Sequence, residues 1–536
     1  MGRRGKRWLI WLGAPLLLVA LAVAFWSWDW FIPLAEARAS AAIGRPVKIA
    51  HLHVTLGRVV TVTAEGVRVG NPPDFPDDPP FVEVARATAR LDAGAFLRSR
   101  EVVLPSIELD RPVVNVIGKD GGGRNYAFEF TPPAGETNAP EEVSAPRIGG
   151  LRINGGKARV SIAWLQAEFE ADVRTEDRDG QEPVLVAEAR GTYAGQRIEA
   201  QFAGGSVLDL RDENEPWPVD LRLRNGETTL ALKGSVREPL KLRGADLRVE
   251  LAGQDMASLV PLSGVPFPKT PPFRLEGKVD YAEGRVRLLE ANGRVGRSDI
   301  GGDLTVTTEG ERPDVTADLR SRSVDLADLG GLVGSEPGRT STPGQTPQQR
   351  GAVARAQASP KLLPTTPVNM PRLTAANVHV RYRAERIQGQ NMPFDSMGAD
   401  VDIEDGTVSL HPVYLGIGQG RLTVNGTLAP LEGGGLRAKL DIELRRADLS
   451  RLLGAAGAGG AGTLGGVARI EGSGKSLSEI LGRGNGEATF VTVGGNVSSF
   501  LVDLSGLHFG NALLSALGIP ARATIECMIA DFALQR

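Results

Sequence analysis

Turn signals recur along almost the whole chain, and the segments between them alternate apolar and polar residues. Asn-Gly occurs at 154–155, 225–226, 292–293, 425–426 and 485–486, and Asp-Gly at 120–121, 179–180 and 405–406. Both dipeptides tolerate the positive φ of a tight hairpin turn. In 85–92, Ala85, Ala87, Ala89 and Leu91 point to one side of a strand, and Arg86, Thr88, Arg90 and Asp92 to the other. Such a chain is expected to be mainly β: an extended, curled antiparallel sheet whose ends or edges are capped by short helices. Helical pattern is brief, at 34–43, 324–334, 448–454 and 476–482. It is clearest over 496–518, where Val497, Phe500, Leu501, Leu504 and Leu507 share helical spacing. Residues 275–308 and 401–428 repeat one plan of strand, turn, strand, Gly-rich turn, strand, so the sheet is expected to grow by a repeated unit.

Three breaks interrupt this pattern. Residues 131–146 are rich in Pro, Glu and Ala, 335–367 hold six prolines, and 454–466 are Gly/Ala-rich. The expected organisation is a basic segment 1–7, an anchor 8–30 and β regions at 31–130 and 147–334. A flexible linker 335–367, a second repeat region 368–453 and a last domain 454–536 follow. Hydrophobic residues are 41 % of the 536 and charged residues 23 %, which excludes wholesale disorder. The 61 basic residues against 64 acidic ones exclude a strongly basic nucleic-acid binder.

The N-terminus carries a second constraint. Arg3, Arg4, Lys6 and Arg7 precede residues 8–25, an uncharged run that includes Leu16, Leu17, Leu18, Val19, Leu21, Val23 and Phe25. Eighteen residues at 1.5 Å each span about 27 Å as a helix, close to a bilayer core. Trp8 and Trp11 stand at one end and Trp26, Trp28 and Trp30 at the other, the placement of interfacial aromatic belts. A transmembrane helix is therefore expected, with a cytoplasmic N-terminus and residues 31–536 on the far side. The alternative is a signal peptide cut near Ala37-Arg38-Ala39.

Catalytic motifs do not assemble. GSGKS at 472–476 has Arg469 where a phosphate loop needs Gly, and Gly457, Gly459 and Gly462 lie in a flexible Gly/Ala tract with no strand before them. His51 and His53 read as exposed strand histidines, and His379, His411 and His508 are scattered. Asp299 and Asp303 read as residues flanking a Gly turn, and Cys527, the single cysteine, as a buried apolar residue. No nucleophile, base and orienter come together, so no enzyme activity and no cofactor or metal are expected.

The chemistry is then expected in a surface. Apolar positions at period two include Leu304, Val306, Val315, Leu319, Val378, Val380, Val401, Ile403, Val408, Leu410, Leu422, Val424, Ile442 and Leu444. A long sheet with one apolar face covers that face with its own second layer, or curls around lipid chains.

The chain also resembles the AsmA-like family of bacterial envelope proteins. The resemblance rests on GRPVKI (44–49), EGVRVGNPP (65–73), LPSIELDRPVVNVI (104–117) and GGGRNYAF (121–128). It continues through FPKTPPFRLEGKVDYAEG (267–284), GRVGRSDIGGDLTV (293–306), ERPDVTADLRSRSVDLADL (311–329), the repeat at 373–428, GSGKSLSEILGRGNGEATFVTVGG (472–495) and ATIECMIADFAL (523–534). It implies an inner-membrane anchor, a periplasmic body, and a curled β-groove with an apolar floor that receives phospholipid acyl chains. It also implies a link to outer-membrane biogenesis, with outer-membrane assembly factors as partners if the protein acts instead as a scaffold. The family's last domain usually continues beyond the Cys-containing strand, so this one is expected to be incomplete at Arg536.

Overall fold

The computed structural model describes residues 27–534 except 58, 95–102, 127–146, 178–182, 212–214, 240–242, 261–264, 266, 283, 309, 311, 359–364, 369, 390–391, 433, 456–460, 495, 499–521 and 525. The chain divides into two compact units, Met1–Trp217 and Pro218–Arg536.

The first unit contains β1 (Val47–Lys48), β2 (His51–Thr55), β3 (Val59–Val69), β4 (Val82–Asp92), β5 (Val103–Leu104) and β6 (Ser106–Gly118). It continues with β7 (Arg147–Ile148), β8 (Leu151–Asn154), β9 (Gly156–Ile162), β10 (Ala167–Glu176), β11 (Val184–Tyr193) and β12 (Gln196–Gly204). Strands β1 and β2 both pair with β3, and β3–β4–β6 and β9–β10–β11–β12 run antiparallel. Between these two runs, β6 lies parallel to β8 and β9. Helix Ile32–Ile43 ends at Gly44, as the sequence indicates, and blocks the first sheet edge. Ser40 Oγ accepts the Val47 amide at 2.9 Å, Glu36 Oε1 that of Ile49 at 2.9 Å, and Asp29 Oδ1 that of Leu52 at 2.8 Å. Edge donors that would otherwise template aggregation are thereby satisfied.

Three of the motifs behind the resemblance meet in this unit, and their role is structural. Asn125, fully buried, donates to Asn71 Oδ1 and to the Asn115 carbonyl and accepts the Ile117 amide. Asn71 in turn donates to the Pro76 and Pro79 carbonyls, fixing the Pro-rich loop.

The second unit holds β13 (Trp217–Asn225), which begins at the boundary, β14 (Thr228–Glu238), β15 (Arg243–Gly253), β16 (Phe273–Ala282), β17 (Arg285–Val295), β18 (Ser298–Thr307), β19 (Asp314–Ser321), β20 (Val324–Asp325), β21 (Asn377–Ala384) and β22 (Ile387–Gln388). Then come β23 (Met397–Glu404), β24 (Thr407–Ile417), β25 (Gly420–Pro430), β26 (Leu436–Asp448), β27 (Thr463–Gly474), β28 (Asn485–Val493), β29 (Asn496–Ser498), β30 (Arg522–Thr524) and β31 (Cys527–Leu534). Pairing is antiparallel from β14 to β19, and again from β21 through β23–β28 to β31. At the junction, β19 and β21 are parallel over eight residue pairs. The two repeats read from the sequence are the three-stranded meanders β16–β18 and β23–β25.

The protein is mainly β, but each unit is a mixed sheet rather than the expected antiparallel one. A parallel pair needs a crossover of a dozen residues or more. The crossovers here are 119–150 and 322–376, and they contain the two Pro-rich breaks. The segment expected as a flexible linker therefore includes the helix Pro347–Gln357, closed by a Thr346/Gln349 capping box, with Val353 buried beneath it. Other expectations are also corrected. The 292–293, 425–426 and 485–486 Asn-Gly pairs lie in strands, not turns. Asp299 and Asp303 sit in β18, where Asp299 accepts the Arg322 and Ser323 amides and Asp303 the Glu290 amide. Cys527 is exposed, because β31 presents its faces to solvent. Most of the helix expected over 496–518 lies outside the described residues, and its first three residues form β29. Among the described residues no helix is long and apolar enough to cross a membrane. Residues 8–25, with Trp8, Trp11 and Trp26, lie outside them.

Short helices follow β15, β20 and β26 at a preceding aspartate. Asp255 accepts the Ala257 amide, Asp325 that of Ala327, and Asp448 that of Ser450. Ser476 of GSGKS likewise caps helix Leu477–Gly482, which accounts for the motif without any phosphate. Asp328, inside the second of these helices, is buried against Ser298. One carboxylate oxygen accepts the Arg297 and Ser298 amides and the Ser298 hydroxyl, while Oδ1 has no partner. Burial pushes its pKa above the ordinary carboxylate value. The folded state then binds the proton more tightly than the unfolded one, so stability falls as pH rises from the ordinary carboxylate value through the raised one. The expected result for Asp328→Asn is a shallower decline across that window, read from denaturant unfolding at a series of pH values.

Candidate functional site

Sheet register decides which side chains share a face. Val306 pairs with Val315, Val315 with Val378, Val378 with Ile403, and Ile403 with Val408. One row further along each strand, Leu304, Ala317, Val380, Val401 and Leu410 are successive partners. Leu319 pairs with Tyr382, Val424 with Ile442, and Leu422 with Leu444. The β24–β25 ladder shifts by one residue between Leu410 and Val413, and this bulge returns Val413 and Leu415 to the face of Leu410. Similar shifts follow Leu288 in β17 and Leu444 in β26. Bulges raise local twist and bend strands, and each of these leaves the apolar rows in line. All fourteen apolar residues singled out from the sequence therefore lie on one face.

The other face is polar. Thr305, Thr316, His379, Asp402 and Ser409 form the row between the two apolar ones. His379 Nδ1 lies 2.7 Å from Asp402 and Nε2 3.4 Å from Asp314, while His411 Nε2 lies 3.6 Å from Asp402. Two histidines that are scattered in sequence are thus gathered on one carboxylate. The hydrogen bond to Asp402 raises the His379 pKa, with the Asp314 charge adding to it. Among the described residues no group of His, Cys, Asp and Glu can hold a metal ion. His51 and His53 are exposed on β2.

Coverage of the apolar face is uneven. Val265 is buried on it with Val315 and Ala376, and Phe267, Leu304, Val306 and Val378 pack around them. Phe267 also touches the cluster of Met256, Leu259, Phe273 and Val295. Val315 is therefore covered by the chain's own side chains, with Leu304, Val306 and Val378 partly buried around it. Along the same margin, Val368 and Leu373 close over Leu428, Leu436, Ala438 and Ile480. At the opposite margin, Val324 and Ile387 bury Ala384, with Leu326, Leu329 and Phe394 around them. Between the margins Leu319, Val380, Val401, Leu410, Leu422, Val424, Ile442 and Leu444 are only half-buried, as is Ile403 and Val408 beside them. The inner face of a packed two-layer sandwich would bury such residues. The arrangement is a trough with two walls and an apolar floor.

The first unit carries a comparable face that the sequence reading did not single out. Val62, Ala89, Ile107 and Leu151 are successive partners, as are Val114, Ala158, Ala171, Ala189 and Ala200. The alternation of 85–92 was the visible signal. The partners of β4 were not, because the parallel β6–β9 pairing is long-range. Trp28 and Trp30 fall in the turn Trp28–Phe31, ahead of β1 in this unit, with Trp30 64 % exposed.

The described residues form an open, mainly β mixed sheet that carries apolar rows on one face and polar rows on the other. Comparison with known proteins places the chain in a family: the AsmA family model matches residues 141–536, and the chain belongs to that family. It is also 28 % identical to the AsmA family protein YhjG of Escherichia coli (strain K12), over 99 % of this chain and 83 % of that protein. No solved structure matches. Family membership supports a function associated with the cell envelope.

Proposed function

We propose that the protein holds phospholipid by its acyl chains in the trough and passes it between the inner and outer membranes. In this reading residues 8–25 anchor it in the inner membrane, with Arg3, Arg4, Lys6 and Arg7 on the cytoplasmic side and the sheets in the periplasm. The half-open apolar floor between two walls carries the proposal. Six strand-to-strand steps from β18 to β26 at about 4.8 Å give a floor of about 29 Å. One leaflet's acyl layer is about 15 Å, half of a hydrocarbon core of about 30 Å, so the floor accommodates a chain with room to move along it. Each methylene taken from water contributes about 0.8 kcal/mol, so retention needs no specific polar contact.

The test places a photo-crosslinking amino acid at Val401 or Val424 of the full chain in cells, with Ser409 and Thr427 on the opposite face as controls. Phospholipid adducts at 401 and 424 but not at 409 or 427 are expected. Adducts at 424 should disappear when Val401→Asp is added. Equal labelling of both faces, or protein adducts in place of lipid, would overturn the assignment. The protein-adduct outcome would favour a scaffold for outer-membrane protein assembly, a role that Val265 and Phe267 already suggest locally by filling the face with protein.

A further inference from the structure

Helix Ile32–Ile43 and the turn Trp28–Phe31 before it share an unusual outward face. Trp30 is 64 %, Phe31 41 % and Leu34 59 % exposed, and Pro33, Ala37, Ala41 and Ala42 are exposed with them. Arg38 is the one charged side chain on that face. Both nearby carboxylates, Asp29 and Glu36, turn the other way and accept edge amides of the sheet. These bonds hold both carboxyls below their ordinary values, the Leu52 amide acting on Asp29 and the Ile49 amide on Glu36. A solvated helix face normally carries charge, and an apolar face of this kind marks an interaction surface. Ser27, which caps the turn, follows the uncharged run 8–25 after a single residue.

We propose that Trp28–Phe31 and helix Ile32–Ile43 lie in the headgroup layer of a lipid bilayer, making this face a membrane-docking surface. Aromatic and aliphatic side chains on one face with a lone cation are the composition of an interfacial helix. The occupant is lipid rather than protein because the chain enters this segment directly from the apolar run. The proposal rests on the reading of residues 8–25 as the anchor. Its consequence is mechanical. Three side-chain staples, from Asp29 in the turn and from Glu36 and Ser40 in the helix, reach the amides of Leu52, Ile49 and Val47 along the first sheet edge, so that edge is held at the bilayer rather than tethered loosely.

The test uses the full chain in phospholipid vesicles with Cys527→Ser, carrying an environment-sensitive fluorophore at Leu34→Cys. A second protein carries the probe at Leu17→Cys. Expected is a blue shift of the Leu34→Cys probe on reconstitution, with quenching by headgroup-level nitroxide lipid and protection from aqueous iodide. The Leu17→Cys probe should be quenched best by nitroxides deep in the acyl region. An iodide-accessible probe at 34 beside a protected one at 17 overturns the docking surface and leaves the anchor standing. Accessibility at both positions overturns the anchor reading as well. Protection at 34 that persists in detergent and grows with protein concentration identifies a protein occupant, and also overturns the proposal.

Discussion

Gly302→Val is expected to destabilise the second unit more than any other single change considered for it. Gly302 lies inside β18 at φ +134°, where a Cβ would fall 2.0 Å from the Asp318 carbonyl oxygen and 3.0 Å from the Leu319 Cα. These are backbone atoms of the paired strand β19, so relief requires the ladder to open. A clash of that kind, added to a backbone conformation that L-residues avoid, places the cost at about 4 kcal/mol or more. Gly426 repeats the arrangement in β25, at φ +155° with its Cβ position 2.2 Å from the Lys439 carbonyl oxygen. Denaturant unfolding of the full chain should show the loss. Gly351, in the middle of helix Pro347–Gln357 with nothing within 4 Å, provides the contrast. Gly351→Ala should gain about 0.5–1 kcal/mol through helix propensity. A Gly302→Val protein as stable as its parent would mean that β18 and β19 do not pair in this register.

Asp325→Ala is expected to have the second-largest effect, because that carboxylate ties the crossover to the sheet. It is 2 % exposed, caps helix Leu326–Val333, and receives Arg339 in a fork at 2.6 and 2.9 Å. Its own amide donates to Ser298 Oγ at 2.9 Å. Breaking a buried pair by removing one partner costs about 3–5 kcal/mol. Arg339 is part-exposed and recovers some hydration, so the cost here is expected nearer about 2–3 kcal/mol, of which the lost cap accounts for about 1. In a double-mutant cycle, Arg339→Met should restore part of the stability lost in Asp325→Ala. Strict additivity of the two changes would show that the fork contributes nothing. Release of this crossover would also loosen Val324, Leu326 and Leu329, which wall the trough.

The trough itself is part floor and part core. Val265 and Phe267 seat on the apolar face over β18 and β19, the position that an acyl chain would otherwise take. That is why Val315 is buried whereas Val380, Val401, Val424 and Ile442 are only half-buried, although all five alternate identically in sequence. The informative crosslinking positions are accordingly in β23 and β25 rather than β18.

Period-two alternation determined the strands and the composition of each face, because a strand's side chains have no other choice than to alternate. Local caps were equally legible: Gly44 ends its helix, and the helices at 326–333, 449–455 and 477–482 lie within or near their sequence signals. The Asn-Gly pairs at 292–293 and 425–426 misled, since glycine serves a hairpin turn and a crowded strand position for the same reason, the missing Cβ. Everything that depended on partners at long range was invisible in the sequence. The parallel β19–β21 pairing, the packing of helix Pro347–Gln357 within the crossover, the gathering of His379 and His411 on Asp402, and the seating of Val265 on the sheet are of this kind. Alternation along one strand fixes which residues face together. Only pairing with distant strands, and the loops folded back over them, decides which of those residues are sealed in a core and which line an open floor.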